Sequence, residues 1–114
     1  MKEGSTLILR STVTIQTINK ITDGMNFGSK KINLFYCPER IAEGKAFLEL
    51  DKIPQIIGSK DSEVTEIIKD FFEKLKFKTI LVNFEEAVFI KLFSNTYRYA
   101  QFSTVNYFDN IASN

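Results

Sequence analysis

Short apolar, β-rich runs alternate along this chain with longer helical periods, and that alternation constrains the fold more than any other feature. It is the pattern of strand-helix-strand units laid on a mostly parallel sheet. Four runs read as strands, at residues 6–10, 32–36, 54–58 and 77–82; Pro38 stops the second and Gly58 ends the third. Over residues 14–24, Ile15, Ile18 and Ile21 recur at threes and predict a helix closed by Asp23-Gly24. A clearer helix is predicted over residues 62–76. There Val64, Ile67, Ile68, Phe71, Phe72 and Leu75 form one continuous apolar face, with Asp61 as its N-cap. Residues 26–31 read as a connecting loop, and residues 42–50 as a loop with a helical turn. The fold class is α/β, with about four strands, flanking helices and a long C-terminal helix.

That last helix is unusual for a small domain. Residues 85–112 contain neither Pro nor Gly, and a continuous helix of that length spans roughly 40 Å. Its apolar residues, among them Phe89, Phe93, Tyr97, Phe102, Tyr107 and Phe108, wrap most of the circumference, so the sheet alone cannot cover them. A second subunit or another domain is expected there, and a partial sheet with an open edge adds to the case for self-association. The chain of 114 residues supplies a single core, with residues 1–84 as the sheet unit and 85–114 as the beginning of the long helix.

Charge and composition narrow the chemistry. With 15 Lys and Arg against 14 Asp and Glu, the net charge is +1, which gives no electrostatic case for nucleic acid or an anionic membrane. No stretch is apolar enough to span a membrane and no h-region follows the first residues, so a cytoplasmic protein is expected. The absence of histidine and the single cysteine argue against a metal centre or a disulfide framework. Catalysis, if any, falls to carboxylates, lysine, amides and hydroxyls.

Three clusters could carry it. Ser11-Thr12 and Cys37-Pro38-Glu39-Arg40 each follow a predicted strand, where ligands gather in open parallel sheets, so both should face one rim. Glu39 and Glu43, four apart, would repel each other if the segment coils, or else are two solvated glutamates. Lys91 and Asn95 project together from one turn of the long helix. Such a lysine either reaches out to solvent or donates to a developing oxyanion, with Asn95 as a second donor. Cys37, beside Pro38 and without a histidine, reads as a packed, inert thiol.

Four segments in order, Lys2-Glu-Gly-Ser-Thr-Leu-Ile-Leu-Arg-Ser-Thr-Val13, Cys37-Pro-Glu-Arg-Ile-Ala-Glu-Gly-Lys45, Pro54-Gln-Ile-Ile-Gly58 and Glu86-Ala-Val-Phe-Ile-Lys-Leu-Phe-Ser-Asn-Thr-Tyr97, resemble the nucleotide-sugar 6-dehydrogenases. This is the UDP-glucose and GDP-mannose dehydrogenase family, and the Pro-Glu-Arg form looks most like members acting on UDP-N-acetyl-mannosamine. The resemblance implies the second half of a Rossmann-type NAD-binding domain and a two-step, NAD-dependent oxidation of a UDP-sugar at C6 to the uronic acid. It implies that Thr12 and Glu39 act in catalysis, that Lys91 and Asn95 stabilise oxyanions, and that Arg40, Ile41, Ala42 and Glu43 line the sugar-nucleotide cleft. Ser11, Thr12 and Glu43 would then approach the cofactor. The lysine's donor role, open on spacing alone, is favoured by the resemblance. The family's glycine fingerprint and nucleophilic cysteine would lie before and after these residues, and Cys37 matches neither. The isolated chain is therefore expected to be inactive, as one of several complementing pieces or as a homodimer. The alternative is a non-catalytic, self-associating module built on the same fold.

Overall fold

The computed structural model describes residues 4–25, 32–40, 52–60 and 62–113. The expected helical turn at 42–50, the Asp61 cap and the candidate residues Ile41, Ala42 and Glu43 lie outside the described residues. Four strands, β1 (Thr6–Leu9), β2 (Asn33–Tyr36), β3 (Gln55–Gly58) and β4 (Thr79–Val82), form one sheet in that order. Three described helices accompany them: α1 (Ile15–Met25), α2 (Ser62–Lys74) and α3 (Phe84–Ala112).

β1 and β2 are parallel, as are β3 and β4, while β2 and β3 run antiparallel and pair only at Tyr36 and Gly58. Because the last residues of β2 and β3 face each other, β3 lies alongside the extension of β2 rather than β2 itself. That extension continues the ladder past Tyr36: the Cys37 amide donates to the Leu9 carbonyl at 2.9 Å and the Glu39 amide to the Arg10 carbonyl at 3.3 Å. The buried Gln55 amide nitrogen in turn reaches the Pro38 carbonyl at 3.4 Å.

Successive strand residues feed opposite faces, as the two-residue period of a strand requires. Tyr36 and Ile56 pack with Ile18 of α1 and with Phe84, Ala87 and Val88 of α3, while Phe35, Cys37 and Ile57 pack with Ile68 and Phe72 of α2. α3 lies close on β3 because residue 58 is glycine. A Cβ there would stand 2.7 Å from the Ala87 Cβ and 3.3 Å from the Tyr36 and Asn83 carbonyl oxygens.

Two expectations need correction. The apolar stripe of α2 is wider than the surface it meets: Ile68 and Phe72 are buried, but Ile67 and Leu75 are 68% and 55% exposed, and Phe71 is exposed as well. β3 and β4 reach one flank of the helix only. α2 also ends two residues early, at Lys74, because Lys76 adopts a left-handed φ of 65°. The Lys76 and Phe77 amides then close back on Glu73 and Phe72, and the Phe72 and Phe77 rings meet edge to face. This is a Schellman ending, with its usual apolar contact, built without glycine.

Candidate functional site

The site begins with the parallel pairing of β1 and β2. It brings Arg10, Ser11 and Thr12, beyond the end of β1, to the same rim as Cys37, Pro38, Glu39 and Arg40, beyond the end of β2. Ser11 and Thr12 are exposed at that rim. Glu39 lies in extended chain and is held from several directions. Arg10 pairs with one carboxylate oxygen, the Arg40 amide donates to the other at 2.9 Å, and Lys91 donates to the Glu39 main-chain carbonyl.

The Lys91 contact ties the long helix to the rim. α3 starts at a capping box: Asn83 accepts from the Glu86 amide at 2.8 Å, and the Glu86 carboxylate accepts from the Asn83 amide at 2.9 Å. Phe84, Ala87 and Val88 then bury the first two turns against the sheet, so the next turn carries Lys91 across the end of β2. Lys91 does not simply reach out to solvent. The Lys91 residue is of intermediate exposure and its pKa is lowered, first by desolvation and further by the positive charges of Arg98 and Arg40, with Glu39 opposing.

Beside Lys91 opens a cleft of about 230 Å³ lined by Arg40, Lys52, Ser94, Asn95 and Arg98. Glu39, Arg40, Lys91 and Asn95, which are far apart in sequence, thus converge, with Ser11 and Thr12 joined to them through Arg10. Arg10, Lys52 and Arg98 were not singled out from the sequence. Arg98 follows Lys91 at i+7 and Asn95 at i+3 on the same helical face, a signal that spacing alone carries. Lys52 and Arg10 become visible only when the chain connections are placed.

Cys37 is fully buried and its thiol is pushed up to about 12 by desolvation, with Arg10 acting weakly the other way. It has no nucleophilic character at neutral pH. No described helix is long and apolar enough to cross a membrane, and no group of three or more metal-binding side chains occurs among the described residues.

Residues 1–76 match the model of the UDP-glucose/GDP-mannose dehydrogenase family, NAD binding domain. The chain belongs to this family. A UDP-N-acetyl-D-mannosamine dehydrogenase of Methanococcus maripaludis is 31% identical over 112 residues, which is 97% of this chain and 26% of that protein. The native structure of the UDP-N-acetyl-mannosamine dehydrogenase of Staphylococcus aureus superposes with a TM-score of 0.69 at 30% identity, over 86% of this chain and 25% of that one. A ternary complex of GDP-mannose dehydrogenase from Pseudomonas aeruginosa gives a TM-score of 0.77 at 25% identity, over 92% of this chain and 26% of that one. The chain thus spans about a quarter of the length of the relatives it matches. Family membership accounts for the sheet as part of a Rossmann-type domain with a long helix following it.

Proposed function

We propose that this chain supplies the rim of an NAD-binding domain and the lysine-bearing helix of a UDP-sugar 6-dehydrogenase, with residues 1–84 forming the first part and residues 85–114 the second. The observation that carries the reading is the meeting of Lys91 with Glu39, which sets a cation of α3 against the ends of the parallel strands. The overall chemistry oxidises a primary alcohol to a carboxylate: the alcohol, two NAD⁺ and one water give the carboxylate, two NADH and three protons. NAD, when bound, takes the hydrides. The exposed hydroxyls of Ser11 and Thr12 at the end of β1 fit the approach of its nicotinamide end.

The remaining work falls to this chain's residues. Lys91 and Asn95 donate to oxygen as negative charge develops on it. Glu39, paired with Arg10, accepts a proton from the alcohol or from water. Arg40 lines the sugar side, the role that the family resemblance also gives Ile41, Ala42 and Glu43. The nucleophile that such a reaction calls for is not Cys37, whose buried thiol stays protonated. No Gly-x-Gly-x-x-Gly occurs in the 114 residues to cradle a dinucleotide pyrophosphate. The chain by itself therefore binds a UDP-sugar weakly and does not oxidise it.

The test is amide chemical-shift mapping with UDP-N-acetyl-mannosamine. Shifts centred on Glu39, Lys91 and Asn95, weakened in Lys91→Met, support the reading; no shifts at millimolar ligand overturn it. Sustained NADH production by the purified chain would contradict its inactivity alone.

A second reading, a self-associating module, draws on the far half of α3, where Tyr97, Tyr99, Phe102 and Phe108 are all more than 60% exposed. Charged replacements at Phe93 and Tyr97 then reduce the mass in solution, and an unchanged mass counts against it.

A further inference from the structure

The turn that carries Ser11 and Thr12 is fastened at both ends and open in the middle. Behind it, the Leu9 and Arg10 carbonyls accept from the Cys37 and Glu39 amides at 2.9 and 3.3 Å. Ahead of it, Thr14 stands in the capping position of α1. Its carbonyl accepts from the Thr17 and Ile18 amides at 3.1 and 3.2 Å, and its Oγ accepts from the Thr17 amide at 3.3 Å. Between these anchors, Ser11, Thr12 and Val13 make no backbone-to-backbone hydrogen bond among the described residues. Such a segment holds its exposed hydroxyls in place only if a side chain fixes it.

Tyr36 lies against this turn. It pairs with Leu9 between β1 and β2 and is fully buried, in the cluster on which Val13 and Ile15 pack. Its hydroxyl is sealed from solvent and completes no hydrogen bond among the described residues, although a phenol both donates and accepts. A buried hydroxyl left open is costly, so a partner within reach should be taken. Burial raises the Tyr36 pKa, and the Val13 main chain opposes that rise. Only a donor holds a phenol down in this way, so the group facing the oxygen is the Val13 amide. A small inward movement of the turn completes the bond, and Val13 follows Thr12 directly. Resting on the cofactor reading of this rim, we propose that Tyr36 is a positioning residue: its hydroxyl takes the Val13 amide and so sets the turn from which Thr12 meets the nicotinamide end of NAD. Tyr36 itself touches neither cofactor nor substrate.

The test compares the 114-residue chain with Tyr36→Phe, which keeps the ring and removes only the oxygen, and with Tyr97→Phe at an exposed position as control. Amide hydrogen exchange reads the turn without any ligand. The Val13 amide exchanges about tenfold faster in Tyr36→Phe, the worth of one hydrogen bond, while the amides of Ile57 and Phe72, in the cluster on the other face of the sheet, keep their rates. Tyr97→Phe changes neither. A role in packing alone predicts no local change, because phenylalanine fills the same space. Equal Val13 exchange in parent and variant, or faster exchange at all three amides alike, overturns the proposal. Chemical-shift titration with nicotinamide mononucleotide, which carries the nicotinamide end without the dinucleotide pyrophosphate, then reads Thr12. A Thr12 shift in the parent that shrinks in Tyr36→Phe supports the positioning role, and a shift of the same size in both overturns it. A Val13 effect with no Thr12 response in the parent keeps the hold of Tyr36 on the turn and counts against the cofactor reading.

Discussion

Cys37 shows how one residue's environment decides its chemistry. Its thiol is sealed between β2 and α2 among Phe35, Ile57, Ile68 and Phe72, so ionising it would strand a charge in an apolar core. We expect it to resist thiol reagents at pH 8 until the whole chain opens; rapid labelling of the native protein would contradict this packing. The same burial gives stability a sign with pH. The unfolded thiol ionises near 9.0 and the folded one near 12. Between those values the unfolded chain has lost a proton that the folded chain keeps, so this contribution to stability falls as pH rises. Lys91 acts in the other direction, because a lowered folded pKa makes its contribution rise toward pH 10.5. Urea titrations of the parent and Cys37→Ala between pH 8 and pH 10.5 separate the two, and the alanine variant should lose the thiol's share of the decline. The inert character of Cys37 was readable from its proline neighbour and the lack of histidine. The clamp of Arg10 on Glu39 was not, because it joins side chains 29 residues apart.

At the scale of elements, ends and close approaches set the boundaries. Lys76 holds a left-handed conformation that costs a non-glycine residue roughly 1–2 kcal/mol. Lys76→Gly should therefore stabilise the chain by about 1 kcal/mol in urea unfolding, and a loss would mean that the lysine side chain contributes something the ending needs. Gly58 has the opposite sensitivity. Gly58→Ala forces its Cβ against Ala87 and should destabilise by about 1–3 kcal/mol, with an unchanged melting temperature showing that α3 can move off β3 freely. All seven described elements were legible to within two residues at their ends, since two-residue and 3.6-residue periods are local properties. The Asn83-x-x-Glu86 spacing carries the signal for the start of α3 at Phe84. The exposed half of the α2 stripe was not, because periodicity marks a face as apolar without saying how wide a surface will meet it.

As a whole the molecule is elongated, 64 × 31 × 21 Å, with a radius of gyration of 17.5 Å against about 13 Å for a compact chain of this length. The difference lies in α3: every described residue from Asn95 onward is exposed, so the helix leaves the sheet after its third turn. Hydrogen exchange should therefore find the amides of Tyr36, Ile56 and Ile57 most protected and those of residues 99–112 exchanging by local fraying. Equal protection along all of α3 would show that another surface covers it. The strand-helix alternation, the length of α3 and the family motifs were all settled by the sequence itself, because each depends on neighbours a few residues away. Tertiary structure alone decided that β3 runs antiparallel to β2, that half of the α2 stripe stays bare, and that four cations from three separate segments share one cleft. Those outcomes turn on which surfaces meet between segments far apart in sequence, and residues distant along the chain carry no local mark of the partner they will face.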